Sequence, residues 1–143
     1  MNYWNALLSF ITVVLCQSAV LAIEPTSSVK VTPVLKTETS WDGQPIVYPP
    51  GQAEITGLIV EIAPGAETGW HLHPVPSFGL MLAGELTVTL RDGQVKILKA
   101  GDALAEVVNV AHNGRNLGTV PVKLIVFYAG AVGQPLTIEQ AVK

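Results

Sequence analysis

Beyond Ile23 the chain shows no helical period longer than two turns. Apolar runs of four to nine residues recur instead, alternating or continuous, each bounded by Gly, Pro, Asn or Asp. Ile55 to Ile62 is closed by Ala63-Pro64-Gly65, and Phe78 to Leu82 by Ala83-Gly84. In Leu86 to Leu90 the apolar residues share one face and Thr87 and Thr89 the other. Asp92-Gly93 is a strong hairpin signal, and Val95 to Leu98 supplies the returning strand. Ala103 to Val110 and Val122 to Tyr128 complete the set, and the last, interrupted only by Lys123, is expected to pack on both faces. Turn signals about 8 to 12 residues apart predict an all-β sandwich or barrel.

The termini read differently. Residues 24–51 hold five prolines and suggest an extended arm with one or two edge strands. The tail from Gln134 has a short-helix pattern at Thr137 to Val142. With 143 residues, 49% hydrophobic and 13% charged, the chain suits one folded domain, taken here as 53–143 after an arm at 23–52. A net charge of −3 with no basic run leaves nothing to neutralise a row of phosphates, so nucleic acid is not an expected partner. The single cysteine, Cys16, excludes an internal disulfide or a thiolate zinc cluster.

Met1 to Ala22 carry none of the chain's Asp, Glu, Lys or Arg. Ala6 to Leu15 are apolar apart from Ser9 and Thr12, and Val20-Leu21-Ala22 offers a small residue just before a cut ahead of Ile23. Residues 1–22 therefore read as a signal peptide, which predicts export to a periplasmic or extracellular space with no stable membrane span after cleavage. Two alternatives are an uncleaved anchor and lipid attachment at Cys16. Asn5, Gln17 and Ser18 oppose the first, and Val13-Val14-Leu15, without small residues, opposes the second.

The most informative residues are the only three histidines. His71 and His73 flank Leu72, and on a strand residues two apart share a face about 7 Å apart, so two imidazoles can converge on one ion. His112 lies 39 residues after His73 and completes a three-nitrogen face if the sheet closes. Neutral imidazole is the commonest biological metal ligand, and three protein ligands with open positions form a catalytic rather than a structural pattern.

Their surroundings resemble the two motifs of the cupin superfamily. Gly65, five residues, His71-Leu72-His73, three residues, Ser77, six residues and Gly84 follow the first motif, with Ser77 where that motif has Glu. Gly101, five residues, Val107-x-Asn109, two residues, His112, three residues and Asn116 follow the second, with Val107 and Asn109 in place of Pro and Gly. The interval Glu85 to Ala100 is 16 residues, and the resemblance runs from about Ala53 to Ala129. It implies a double-stranded antiparallel β-barrel of jelly-roll type. It also implies one divalent transition metal (Fe, Mn, Zn, Cu or Ni) held by His71, His73 and His112, and, as in many cupins, a homodimer.

Ser77 would sit where the fourth ligand normally comes from, and a neutral hydroxyl is a weak substitute for a carboxylate. Glu106 has two readings: a replacement carboxylate or general base beside the metal, or a strand-end residue satisfied by backbone or by Arg115. If Ser77 faces the metal, parity turns Gly79 and Met81 inward too, leaving an apolar hollow. Phe78, Phe127 and Tyr128 are either pocket wall or plain core. Trp70 has parity opposite to His71 and belongs outside, Glu85 reads as a solvent-facing turn residue, and Asn116 as a turn cap. The expected function is that of an exported small metalloprotein acting on a small organic molecule by oxidative, isomerase or lyase chemistry. The alternative is a non-catalytic module that binds a metal or small ligand.

Overall fold

The computed structural model describes residue 23 and residues 25–141. The signal segment read at 1–22 lies outside the described residues. The chain divides into two compact units, Met1–Thr32 and Pro33–Lys143. In the first, Thr26 and Val29 close a tight turn by reciprocal backbone hydrogen bonds of 3.0 and 3.2 Å.

The second unit is built from nine strands: β1 (Ala53–Ile62), β2 (His71–Leu72), β3 (Ser77–Ala83), β4 (Glu85–Leu90), β5 (Val95–Lys99), β6 (Ala103–Ala105), β7 (His112–Arg115), β8 (Val122–Ala131) and β9 (Ile138–Glu139). They form two antiparallel sheets, ordered β1-β8-β3-β6 and β5-β4-β7-β2-β9. This is the all-β architecture expected from the alternating runs, in the jelly-roll form that the motif resemblance implies. Among the described residues no helix is long and apolar enough to cross a membrane. Ile62, Met81, Leu86, Val88, Leu98, Leu104 and Val122 pack between the sheets as the buried core. Their burial, worth roughly 1.5–3 kcal/mol per large side chain, holds the two layers together.

Turn chemistry places the strands. At Asp92-Gly93 the glycine takes φ +92° and Asp92 Oδ1 accepts the Gln94 amide at 3.0 Å, which fixes the β4–β5 register. Gly84 is confined more tightly. At φ +77° a Cβ would lie 2.8 Å from Pro121 O and 2.9 Å from Val122 Cα, so only glycine fits between β3 and β4.

Three expectations are corrected, and one strand is added that the apolar pattern did not mark. The run from Ala103 to Val110 is a strand only as far as Ala105, because Asn109 turns left-handed at φ +59° and its amide leaves the ladder to bond His73 O at 2.8 Å. His112–Arg115 is a strand despite its polar sequence, since both of its edges find partners in β4 and β2. The tail holds β9, not a helix at Thr137. Its backbone pairs with His71 and Leu72, and Gln140 N donates to Trp70 O at 2.8 Å; Val142 lies outside the described residues. Finally, β8 is only partly covered on its outer face, where Phe127 is 46% exposed while Ile125 and Ala129 are half-buried.

Within the arm, Trp41 N donates to Ala105 O at 3.0 Å, laying residues 39–45 along the free edge of β6. β1 forms the opposite edge of that sheet.

Candidate metal centre

The β2–β7 pairing sets His71 directly opposite His112, and His73 follows just beyond the end of β2. The three rings cluster with centroids 4.4 to 5.0 Å apart, and one nitrogen from each lies within 4.8 Å of the others. Each Nδ1 faces a backbone carbonyl: Gly69 O for His71 at 2.8 Å, Leu136 O for His73 at 2.8 Å and Val110 O for His112 at 2.9 Å. A carbonyl only accepts, so in the neutral rings Nδ1 carries the proton and Nε2 keeps its lone pair. Three such nitrogens, each oriented by a hydrogen bond behind it, are a donor set that can hold a transition-metal ion.

Burial supports the neutral form. Desolvation lowers the His71 pKa from its ordinary value, with the Gly69 carbonyl opposing. For His73, 6% exposed, desolvation dominates and the pKa falls to about 4. The His71 and His73 rings are therefore ready to ligate without first losing a proton at neutral pH.

Behind the histidines the barrel encloses a hollow of about 120 Å³. Ser77, Gly79 and Met81 line it together, as strand parity requires. Ser77 is 2% exposed and its hydroxyl has no hydrogen-bond partner among the described residues. Met81 is buried in the core at the hollow's wall. Tyr128 closes the space beside His73, ring centroids 5.2 Å apart, and burial raises its phenol pKa. Phe78 and Phe127 do not reach the hollow; both line a separate outer depression with Tyr48 and Pro49.

Glu106 lines the hollow, and of its two fixed partners one is backbone, as expected from sequence, and the other is not Arg115. Its Oε1 accepts from Trp41 Nε1 at 2.6 Å and from the Val107 amide at 2.9 Å. Arg115 is engaged elsewhere, with Glu67 Oε2 at 2.7 Å, where Asn113 Nδ2 also donates at 3.0 Å. These contacts, Asn113 first, lower the Glu67 pKa and brace the strand that carries His112. Trp70 stacks beneath the Arg91 guanidinium at 4.6 Å, Glu85 pairs with Lys99 at 3.6 Å, and Asn116 caps its turn through Gly118 N.

Two contributors carried no sequence signal: the Leu136 carbonyl and the Trp41 indole. A carbonyl belongs to every residue, and Trp41 stands 65 positions from Glu106. The tail is fastened by the β9–β2 pairing and by Arg91, whose guanidinium donates to Ala141 O at 2.7 Å.

The cupin domain profile matches residues 58–128, a span that includes all three histidines. No curated protein matches the sequence. Among solved structures, DMSP lyase DddQ from Ruegeria pomeroyi superposes with a TM-score of 0.53 at 20% identity, covering 60% of this chain and 43% of the lyase. An uncharacterised protein with a double-stranded β-helix domain from Klebsiella pneumoniae gives 0.53 at 21% identity, covering 68% of this chain and 83% of its own. A Bacillus subtilis oxalate decarboxylase studied for its Mn(II) centres gives 0.50 at 22% identity, covering 59% and 23%. The chain thus spans less than half the length of either enzyme, and at these identities the likeness is one of fold. Profile, jelly-roll topology and the two histidine-bearing segments agree: the chain belongs to the cupin superfamily.

Proposed function

We propose that this cupin holds one divalent transition metal through Nε2 of His71, His73 and His112 and acts there on a small organic molecule. The observation that carries the reading is the set of three carbonyl-anchored Nδ1 atoms, which turns three lone pairs toward one point. An all-imidazole set suits Fe, Zn, Cu or Ni better than Mn, which prefers carboxylate oxygen. A metal so bound would supply Lewis-acid or redox activation of an oxygen donor.

The chain's own residues supply the rest. Burial keeps His71 and His73 neutral, and the apolar wall excludes water around the reacting group. Glu106, with Oε1 committed to Trp41 and Val107, has Oε2 as the oxygen able to take a substrate proton, in the role of general base. Lyase and oxalate-decarboxylating neighbours favour bond cleavage beside a carboxylate or carbonyl, and the three-nitrogen set is equally suited to oxidation. Export through residues 1–22 and pairing of two copies belong to the same proposal. The hydrophobic, uncharged N-terminal stretch supports the first, and the long open edge of β1 supports the second.

A non-catalytic metal-binding role is the second reading, favoured by Ser77 in the position of the usual carboxylate ligand. Elemental analysis of protein from its native compartment, followed by turnover assays with each bound metal against diketones and small carboxylates, separates the two. One equivalent of metal with turnover supports an enzyme, and one equivalent without turnover supports the module. Protein free of metal in both native and reconstituted form removes the proposal.

A further inference from the structure

We propose that the inward face of β3 is a ligand wall, shaped for a small uncharged molecule whose apolar body lies against Gly79 and whose oxygen hydrogen-bonds Ser77 Oγ. This rests on reading the hollow as the substrate site and names the class of compound it takes.

Two neighbours of one parity on β3 each forgo stability that a one-carbon or one-oxygen change would regain. Ser77 buries a hydroxyl with no partner among the described residues, a loss of about 1–3 kcal/mol that alanine would avoid. Gly79 sits mid-strand, where glycine costs roughly 0.5–1 kcal/mol relative to alanine. A Cβ there would meet Leu124 Cδ1 at 3.8 Å and Ile125 O at 3.9 Å, which is ordinary contact, so packing does not demand the glycine. An unpaired hydroxyl beside unused side-chain space, both bordering one hollow, marks a surface kept clear for something that approaches the backbone closely.

The hollow sets the size and charge of that molecule. Its volume of about 120 Å³ is somewhat below the ~150 Å³ of an apolar cavity that takes up benzene, so a body of roughly five or six heavy atoms fits. Val60, Leu86, Val88, Leu104 and Leu124 supply an apolar lining. Among the described residues no Lys or Arg lines it, while Asp102 and Glu106 do. Against β3 an anionic body would lose its hydration without gaining a cationic side chain, and a metal at the histidines would balance only a group that reaches it. A short neutral carbonyl or hydroxyl compound meets none of these costs.

The test uses the full chain held in chelator, so that no carboxylate can bind through a cation, with cyclopentanone and butyrate as probes of equal heavy-atom count. NMR titration should show cyclopentanone shifting the Ser77 and Gly79 amides, with butyrate at least tenfold weaker. Gly79→Val should weaken the ketone at least tenfold by filling the space. Ser77→Ala should weaken it several-fold while its urea midpoint stays level or rises. Equal ketone binding in both variants overturns the proposal, as does butyrate matching the ketone or a lowered midpoint in Ser77→Ala. Metal uptake is measured separately on the wild type. Ketone binding without metal uptake removes the metal reading alone, and metal uptake with no ketone response removes the wall alone.

Discussion

His71 and His112 stand directly opposite each other across the β2–β7 pair, their ring centroids 4.4 Å apart. Two strands brought together by the barrel thus deliver two donors to one point. Removing either ring should lower metal affinity by more than the roughly 10–100-fold seen when only a supporting contact is lost. Titration calorimetry on His71→Ala and His112→Ala checks this, with Glu106→Gln expected to retain one equivalent. Stoichiometric metal in both histidine variants would refute the ligand set.

Burial of His73 makes the metal-free protein sensitive to acid. Its pKa is about 4 when folded against 6.5 for the free side chain, so the unfolded chain takes up the proton first as pH falls. Stability is full above pH 6.5 and declines toward pH 4, by on the order of 3 kcal/mol for this residue. His71 shifts in the same direction. Urea midpoints from pH 7.5 to 4 should fall along this window, and His73→Asn should flatten the slope.

Gly84 should tolerate no side chain. With backbone atoms of Pro121 and Val122 at 2.8 and 2.9 Å from a new Cβ and φ at +77°, Gly84→Ala is expected to cost about 2 kcal/mol or more. The urea midpoint measures it. Gly93→Ala, with nothing within 4 Å of the added carbon, carries only the backbone strain and should cost less.

Trp41 holds Glu106 from outside the barrel strands. Trp41→Phe removes the 2.6 Å donor to Oε1 and should destabilise by about 1.5–3 kcal/mol, the range for hydrogen bonds to charged groups. In metal-loaded protein with measurable turnover, the basic role of Glu106 should appear as a fall in kcat with the metal stoichiometry unchanged. A kcat identical to wild type would leave Trp41 a purely structural contact.

Much of this was legible from residue pattern. Strand parity placed Ser77, Gly79 and Met81 on one wall, and motif spacing brought His112 to the His71–His73 pair. Local pattern failed where tertiary hydrogen bonding decided the outcome. His112-Asn113-Gly114-Arg115 lacks apolar alternation, yet it becomes a strand because β4 and β2 satisfy both of its edges. Asn109 ended an apparent run by adopting a left-handed turn that its side chain type tolerates. For Glu106, sequence offered backbone or Arg115 as partner; the Val107 amide fills the first role, whereas the fold gave the guanidinium to Glu67 and supplied an indole from the arm.

The tail should matter to metal affinity although it contributes no ligand. Ending the chain before Leu136 removes the carbonyl that fixes the His73 ring, and the Kd should rise roughly 10–100-fold. Calorimetry on the shortened chain, with circular dichroism to verify the barrel, checks the expectation.

That carbonyl also orders events in time. Because the acceptor for His73 lies 63 positions downstream, the ring cannot be locked until Leu136 has been synthesised and its segment has docked. A nascent chain that has not yet reached Leu136 presents the histidine motif without its orienting clasp, so the His73 ring is set only after the strands that carry the other two histidines exist.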